Sequence, residues 1–367
     1  MKFLLLTSEY FPFKGGVANY YTNMVYHWPK SSEIIVLDNS NDKLIRRSGF
    51  LRWFPAIFKT WKEIKKNNIE NVLVGQVLPL GTVVFFLSFF LKIKYTIFFH
   101  GMDLPLASKN NWKRFLTKKI IKRSDKIICA NSFVCEMLKN IYRIDNNKVI
   151  TVNPGVNDFN FNNESKREEL IKKYNLSGKK VLFSLGRLVK RKGFDYTILS
   201  LEKVFQSSDF LGNNLKYVIA GNGPDESYLK NLAFKTFGEN FQEKIIFTGE
   251  ISEEEKWTFL SLSDIFIMPA RNIAGDFEGF GIVFLEAGLL FKPVIAGKSG
   301  GVSDAVAHNY SGLMVDPESK DEISEAILKL LNNKNLSHNL GEGGRERALI
   351  KFNWKNQANN IYDFLNK

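Results

Sequence analysis

Short apolar runs rich in β-branched and aromatic residues alternate with helical patterns along the whole chain. That alternation restricts it to parallel sheets joined by crossover helices. In the first half the runs fall at 3–7, 34–37, 72–74, 95–99, 126–129 and 149–152. Asn153-Pro154-Gly155-Val156 breaks the pattern, and a second series follows at 181–185, 217–220, 245–247, 265–268, 293–296 and 312–315. A chain of 367 residues exceeds what one ordinary core holds, so two α/β halves joined near 153–160 are expected. Each is predicted to be a doubly wound, Rossmann-like sheet, the two facing each other across a cleft with ligands at the carboxyl ends of the strands.

Hydrophobic content of 44% and charged content of 24% are those of a globular protein. The 12-residue run 80–91, closed by Lys92 and Lys94, is too short to span a bilayer and predicts a buried helix. Residues 1–7 run straight into a strand pattern, so no secretory signal is expected. Cys129 and Cys135 fit neither a disulfide framework nor a zinc site and read as core thiols in a reducing compartment. The expected location is cytoplasmic.

The segment Glu278-Gly-Phe280-Gly281-Ile282 through Glu286 has a carboxylate, a Gly-Phe-Gly turn and then an apolar helical pattern. A turn feeding a helix presents free N–H groups and the positive end of the helix dipole, a ready phosphate site. Glu286 lies too deep in the helix for capping and suits ribose hydroxyls; an ordinary surface helix is the alternative. Four loops that follow strand patterns extend the theme. Gly186-Arg187 through Lys192-Gly193 sets two cations five apart, which could clamp a diphosphate or be a merely basic loop. Gly221-Asn-Gly223 is a tight turn, Thr248-Gly249 could edge a base with bare backbone, and Pro269 leads through Arg271 to Glu278.

The order and spacing of these pieces, with Ser299-Gly-Gly-Val302, Gly15-Gly16, His100-Gly101 and Asn153-Pro-Gly-Val156, resemble the family-four retaining glycosyltransferases of GT-B fold over essentially the whole chain. The resemblance implies a nucleotide-sugar donor on the second domain and an acceptor on the first. It implies that Arg187 and Lys192 neutralise the diphosphate, that Glu286 binds the ribose, and that Glu278 contacts hydroxyls of the transferred sugar. Gly16 and the backbone around Phe280, Gly281 and Ile282 would meet phosphates and sugar, with Gly186, Gly223, Thr248 and Gly249 completing the donor site. His100 would contact the sugar near the reacting carbon, a buried structural histidine being the alternative. The implied domains are 1–155, 156–350 and a C-terminal helix, 351–367, returning to the first. The stretch between Arg271 and Glu278 is longer than usual in the family, as in some mannosyltransferases that use GDP-mannose, and Asp304 stands where the family usually has glutamate.

No Asp-x-Asp pair occurs, so no metal or other cofactor is expected and fixed cations would take the ion's place. The charge is uneven: residues 1–155 hold 24 Lys+Arg and 10 Asp+Glu, and the remainder 27 and 28. Two segments concentrate the excess, Arg46 to Lys66 and Lys113 to Arg123, both interleaved with aromatic or aliphatic residues. That pattern suits peripheral contact with an anionic membrane face; solvated helix faces are the alternative, and no recognition motif for nucleic acid accompanies it. The expected partners are a nucleotide-sugar and a saccharide or lipid-linked acceptor, in surface polysaccharide, lipopolysaccharide or glycolipid synthesis. A same-fold sugar-nucleotide epimerase, a phosphorylase or a non-catalytic nucleotide-sugar binder are the competing functions. Nothing in the pattern sets an oligomeric state.

Overall fold

The computed structural model describes residues 1–13, 15–45, 53–159 and 161–367. It divides into two compact units, one made of residues 1–155 and 353–367, the other of residues 156–352.

In the first unit the strands are β1 (Phe3–Leu6), β2 (Ile34–Leu37), β3 (Asn71–Val74), β4 (Lys94–Phe99), β5 (Lys126–Cys129) and β6 (Val149–Thr151). They form a parallel sheet in the order β2-β1-β3-β4-β5-β6. β1 and β3 are buried along their whole length, which is why β1, and β3 from Val72 onward, read as apolar runs rather than alternating ones. One face packs Phe3, Leu5, Tyr20, Phe98 and Ile128 against the C-terminal helix Trp354–Asn366, through Trp354, Ile361 and Leu365. Asn353 caps that helix by accepting from the Lys355 N–H. The opposite face carries helices Phe54–Asn67, Leu80–Phe90 and Asn111–Arg123, the middle one packed against both others.

The second unit has β7 (Lys180–Leu185), β8 (Leu215–Ala220), β9 (Ile245–Gly249), β10 (Ile265–Met268), β11 (Val294–Gly297) and β12 (Leu313–Val315), all parallel, in the order β12-β11-β10-β7-β8-β9. Alternate residues feed separate cores on the two faces: Val181, Phe183 and Phe266 on one side, Leu182, Ile265 and Ile267 on the other. The chain runs outward from β7 through β8 to β9, then returns to place β10 on β7's other side. The connections leaving β7 and β10 therefore diverge to opposite faces, and the crevice between them is where such sheets take ligand.

Two expectations need adjustment. The run 80–91 forms a helix, Leu80–Phe90, but only part of it is buried: Phe86, Phe89 and Phe90 are exposed, Phe90 by 83%. An apolar run states that a surface avoids water, not that the rest of the chain covers it. Of the basic segment 46–66, Arg46, Arg47 and Arg52 lie outside the described residues.

Candidate functional site

Five loops at the carboxyl ends of β7 to β11 close on one another through bare backbone. A side chain on Gly221 would collide with the Gly186 carbonyl, one on Gly223 with Leu188, and one on Gly297 with Ala270. Gly193 is the tightest case. Its φ of +74° is left-handed, and a Cβ there would lie 2.0 Å from the Pro269 carbonyl oxygen. This contact locks the loop after β7 onto the loop after β10, and the Arg271 N–H donates to the Arg191 carbonyl at 2.7 Å beside it.

That locking brings the polar groups of the two loops together. The Lys192 ammonium lies 2.7 Å from Glu278 and beside Gly186, with little exposure. Arg191 also bonds the Glu278 carboxylate and reaches Asp276 at 3.2 Å. Burial by itself would raise the Glu278 carboxyl, but Lys192 and Arg191 outweigh it and hold the group below the usual carboxylate range. Glu278 is thus a fixed anion inside two cations, with lone pairs left for further hydrogen-bond donors. Arg187 is exposed, and its guanidinium has no partner among the described residues.

Gly281 precedes the helix Ile282–Leu289 with φ +79°, and no side chain caps the helix start. The N–H groups of Ile282 and Val283 are therefore available to an acceptor from outside, while that of Phe284 donates to the Gly281 carbonyl at 3.0 Å. Phe280 is buried edge-on against Phe352 at 5.4 Å, and Ile282 opens the helix half-buried. Glu286, one turn in, pairs with Lys256 at 2.7 Å; burial raises its carboxyl above the ordinary range and Lys256 offsets only part of that. Thr248 and Gly249 end β9, half-buried, where Gly249 accepts from the Gly221 N–H at 2.7 Å. The Ser299 hydroxyl, in the loop after β11, is closed off without a hydrogen-bond partner among the described residues. Asp304 lies in the short helix Val302–Ala305, and its carbonyl accepts from Arg347. Cations, free helix N–H groups and two placed carboxylates together suit a polyanion that carries hydroxyls at both ends.

The remaining two expected residues belong to the first unit. Gly16 opens the helix Gly16–Tyr26, exposed, with clear space where a side chain would stand. His100 follows β4, its ring edge-on to Tyr20 and Tyr21 at 5.0 Å each. Nε2 is 2.7 Å from the Tyr21 hydroxyl. Burial pushes the His100 pKa down to about 3, so the ring is neutral at physiological pH.

Residues 166–347 match the family model described as glycosyl transferases group 1, and residues 15–158 the model described as glycosyltransferase family 4. The chain belongs to the family-four, group 1 glycosyltransferases. A GDP-mannose-dependent alpha-(1-6)-phosphatidylinositol monomannoside mannosyltransferase of Mycobacterium tuberculosis is 36% identical over 215 residues, 58% of this chain. That alignment spans about half, 54%, of the relative's own length. The enzyme of the same description from Mycolicibacterium smegmatis is 26% identical over 99% of this chain and 97% of its own. Among solved structures, Anabaena HepE in complex with UDP superposes with a TM-score of 0.80 over the whole of both chains at 17% identity, a likeness of fold.

Three polar contacts of this glycosyltransferase are not implied by its motifs. Arg191 joins the Glu278 cluster, Lys256 holds Glu286, and Asp195 binds Arg271 through two hydrogen bonds of 2.9 and 2.7 Å, both side chains buried. The run Lys190-Arg191-Lys192 facing Asp276 and Glu278 was the available signal for the first. For the other two, no local pattern marks the partner.

Proposed function

We propose that this glycosyltransferase moves mannose from GDP-mannose to a lipid-linked saccharide, with retention of anomeric configuration and without a metal ion. The observation that carries the reading is the Lys192–Glu278–Arg191 cluster at the β7/β10 switch point, one turn before a helix start open to phosphate. The donor choice is supported by the activities of the mycobacterial relatives and by the extended stretch Asn272–Phe277, which Arg191 ties down through Asp276. Arg187 and Lys192 neutralise the diphosphate, Glu286 takes the ribose and Glu278 the sugar. Gly16 and His100 keep their assigned contacts with phosphate and sugar.

In the transfer step the bond from the anomeric carbon to the β-phosphate oxygen breaks. The acceptor oxygen bonds that carbon on the same face, and its proton passes to the departing phosphate. GDP then leaves with the charge that Arg187, Lys192 and the helix N–H groups stabilise. No side-chain nucleophile enters, and a neutral His100 donates no proton at pH 7. Calorimetry with UDP-, GDP- and ADP-sugars, each in excess chelator, tests the reading: GDP-mannose should bind tightest and transfer should persist. Activity abolished by chelation and restored by manganese or magnesium would refute the roles of Arg187 and Lys192, and conversion of the sugar nucleotide without an acceptor would favour an epimerase.

The lipid side of the proposal rests on the first unit's helical face. Phe54, Phe58, Trp61, Phe86, Phe89, Phe90, Trp112 and Phe115 are all exposed there, among the lysines of helices Phe54–Asn67 and Asn111–Arg123. We propose that this face docks on anionic bilayers, each cation contributing on the order of 1 kcal/mol, with aromatic insertion adding to it. Co-sedimentation with vesicles should rise with anionic lipid and fall as salt screens the contact. Equal sedimentation with neutral and anionic vesicles at low salt would leave only a soluble acceptor.

A further inference from the structure

The carboxyl ends of β1, β3 and β4 enclose a cavity of about 440 Å³ that lies wholly within the first unit. Its position follows from strand order. β1 sits between β2 and β3, so the connections leaving β1 and β3 diverge and open a crevice there. Glu9 enters from the loop after β1, Gln76 and Leu78 from the loop after β3, and His100, Asp103 and Leu106 from the segment after β4.

Most polar groups on this wall are already committed. The Asp103 carboxylate accepts the backbone N–H groups of His100 at 3.1 Å and Gly101 at 2.8 Å. Gln76 accepts from the Ser8 N–H at 2.9 Å and donates to the Thr7 hydroxyl at 3.3 Å. The Tyr21 hydroxyl donates to the Gly75 carbonyl at 2.9 Å, and a carbonyl can only accept. Tyr21 has one proton, so its oxygen must accept from His100 Nε2–H at 2.7 Å. This assigns the tautomer: His100 Nδ1 is left as a bare acceptor, with no partner among the described residues. The Glu9 side chain likewise has no hydrogen bond or ion pair among the described residues. Burial and the negative charge of Asp103 raise its carboxyl above the usual range, as expected of an anion without a counter-charge. Lys113 is the one cation among the described residues that line the cavity.

We infer that this cavity seats an uncharged, hydroxyl-rich ring of the acceptor, with Glu9 accepting hydrogen bonds from neighbouring hydroxyls and His100 Nδ1 left to the transferred sugar at its edge. The vacant groups are acceptors, so the ligand must bring donors. Leu78 and Leu106 offer apolar surface to the ring's carbon face. A phosphate or carboxylate on the ring would instead face Glu9 and Asp103 in a partly water-excluded space, where like charges repel strongly. The inference rests on the transferase reading and adds to it that the accepting sugar is neutral.

Saturation-transfer NMR on the full chain, with methyl α-D-mannopyranoside and mannose 6-phosphate as probes, tests this. The glycoside should bind at millimolar concentration and the phosphate at least tenfold more weakly. Glu9→Gln should weaken the glycoside about tenfold, the scale of one hydrogen bond to a charged group. Glu9→Ala should do the same. Because the Glu9 side chain holds no partner among the described residues, neither variant should lower Tm, and GDP-mannose binding should be unchanged in both. Glycoside binding that is absent, indifferent to Glu9, or matched by the phosphate overturns the inference. Failure of wild-type protein to bind any nucleotide-sugar overturns the transferase reading instead, so the two failures are distinguishable.

Discussion

Transfer by the Lys192→Ala enzyme is expected to fall by about 10²–10³-fold in kcat, equivalent to roughly 3–4 kcal/mol of lost transition-state stabilisation. The ammonium is fixed 2.7 Å from Glu278 and beside Gly186, so it needs no reorganisation as charge grows on the leaving diphosphate. Removing it should leave the fold intact, because Arg191 still pairs with Glu278 and no buried carboxylate is stranded. Lys192→Arg should not restore activity: a planar guanidinium is not a substitute for a compact point charge. Arg187→Ala, at an exposed cation, should cost less. Steady-state kinetics on the three variants, with Tm as the check on folding, decides the matter. A Lys192→Ala enzyme within threefold of wild type would remove Lys192 from the chemistry.

The sites of interest were legible in the sequence to different depths for a physical reason. Strands of a parallel sheet are buried on both faces, so β1 and β10 announce themselves as continuous apolar runs. Loops that must pass backbone against backbone announce themselves through glycine, as Gly193 and Gly223 do. Side-chain pairing between loops has no such signature. Arg191 meets Glu278, 87 residues later, only because β10 inserts beside β7, and strand order is a property of the whole sheet. The exposed C-terminal half of helix Leu80–Phe90 fails for the converse reason: a run of phenylalanines has no polar face from which to read the solvent side. The cavity of the first unit was hidden at both levels, since Glu9 and Gln76 are ordinary residues until β1 and β3 are placed side by side.

Asp195→Ala is expected to destabilise the second unit by about 3–5 kcal/mol, the cost of leaving a buried charge without its hydrogen-bonded partner; Glu318, exposed and 3.9 Å from Arg271, is a weak substitute. Arg271 and Asp195 are each only 6% exposed and meet through two parallel hydrogen bonds, with the guanidinium also over the Tyr196 ring at 4.8 Å. Asp195 stands in the first turn of helix Phe194–Gln206, directly after the loop that bears Lys192, and Arg271 opens the stretch that leads to Glu278. The pair therefore fixes the spacing of the two loops from behind. Its loss should weaken nucleotide binding even though neither residue is assigned to the ligand. A merely stabilising pair and a positioning pair differ in the double variant. Asp195→Ala with Arg271→Met removes both charges, so much of the stability should return while the loops remain untied. Amide exchange across β7 and β10 reports the stability, and calorimetry with GDP-mannose reports the site. Full recovery of both in the double variant would reduce the pair to a structural one; recovery of protection without recovery of nucleotide affinity is the expected result.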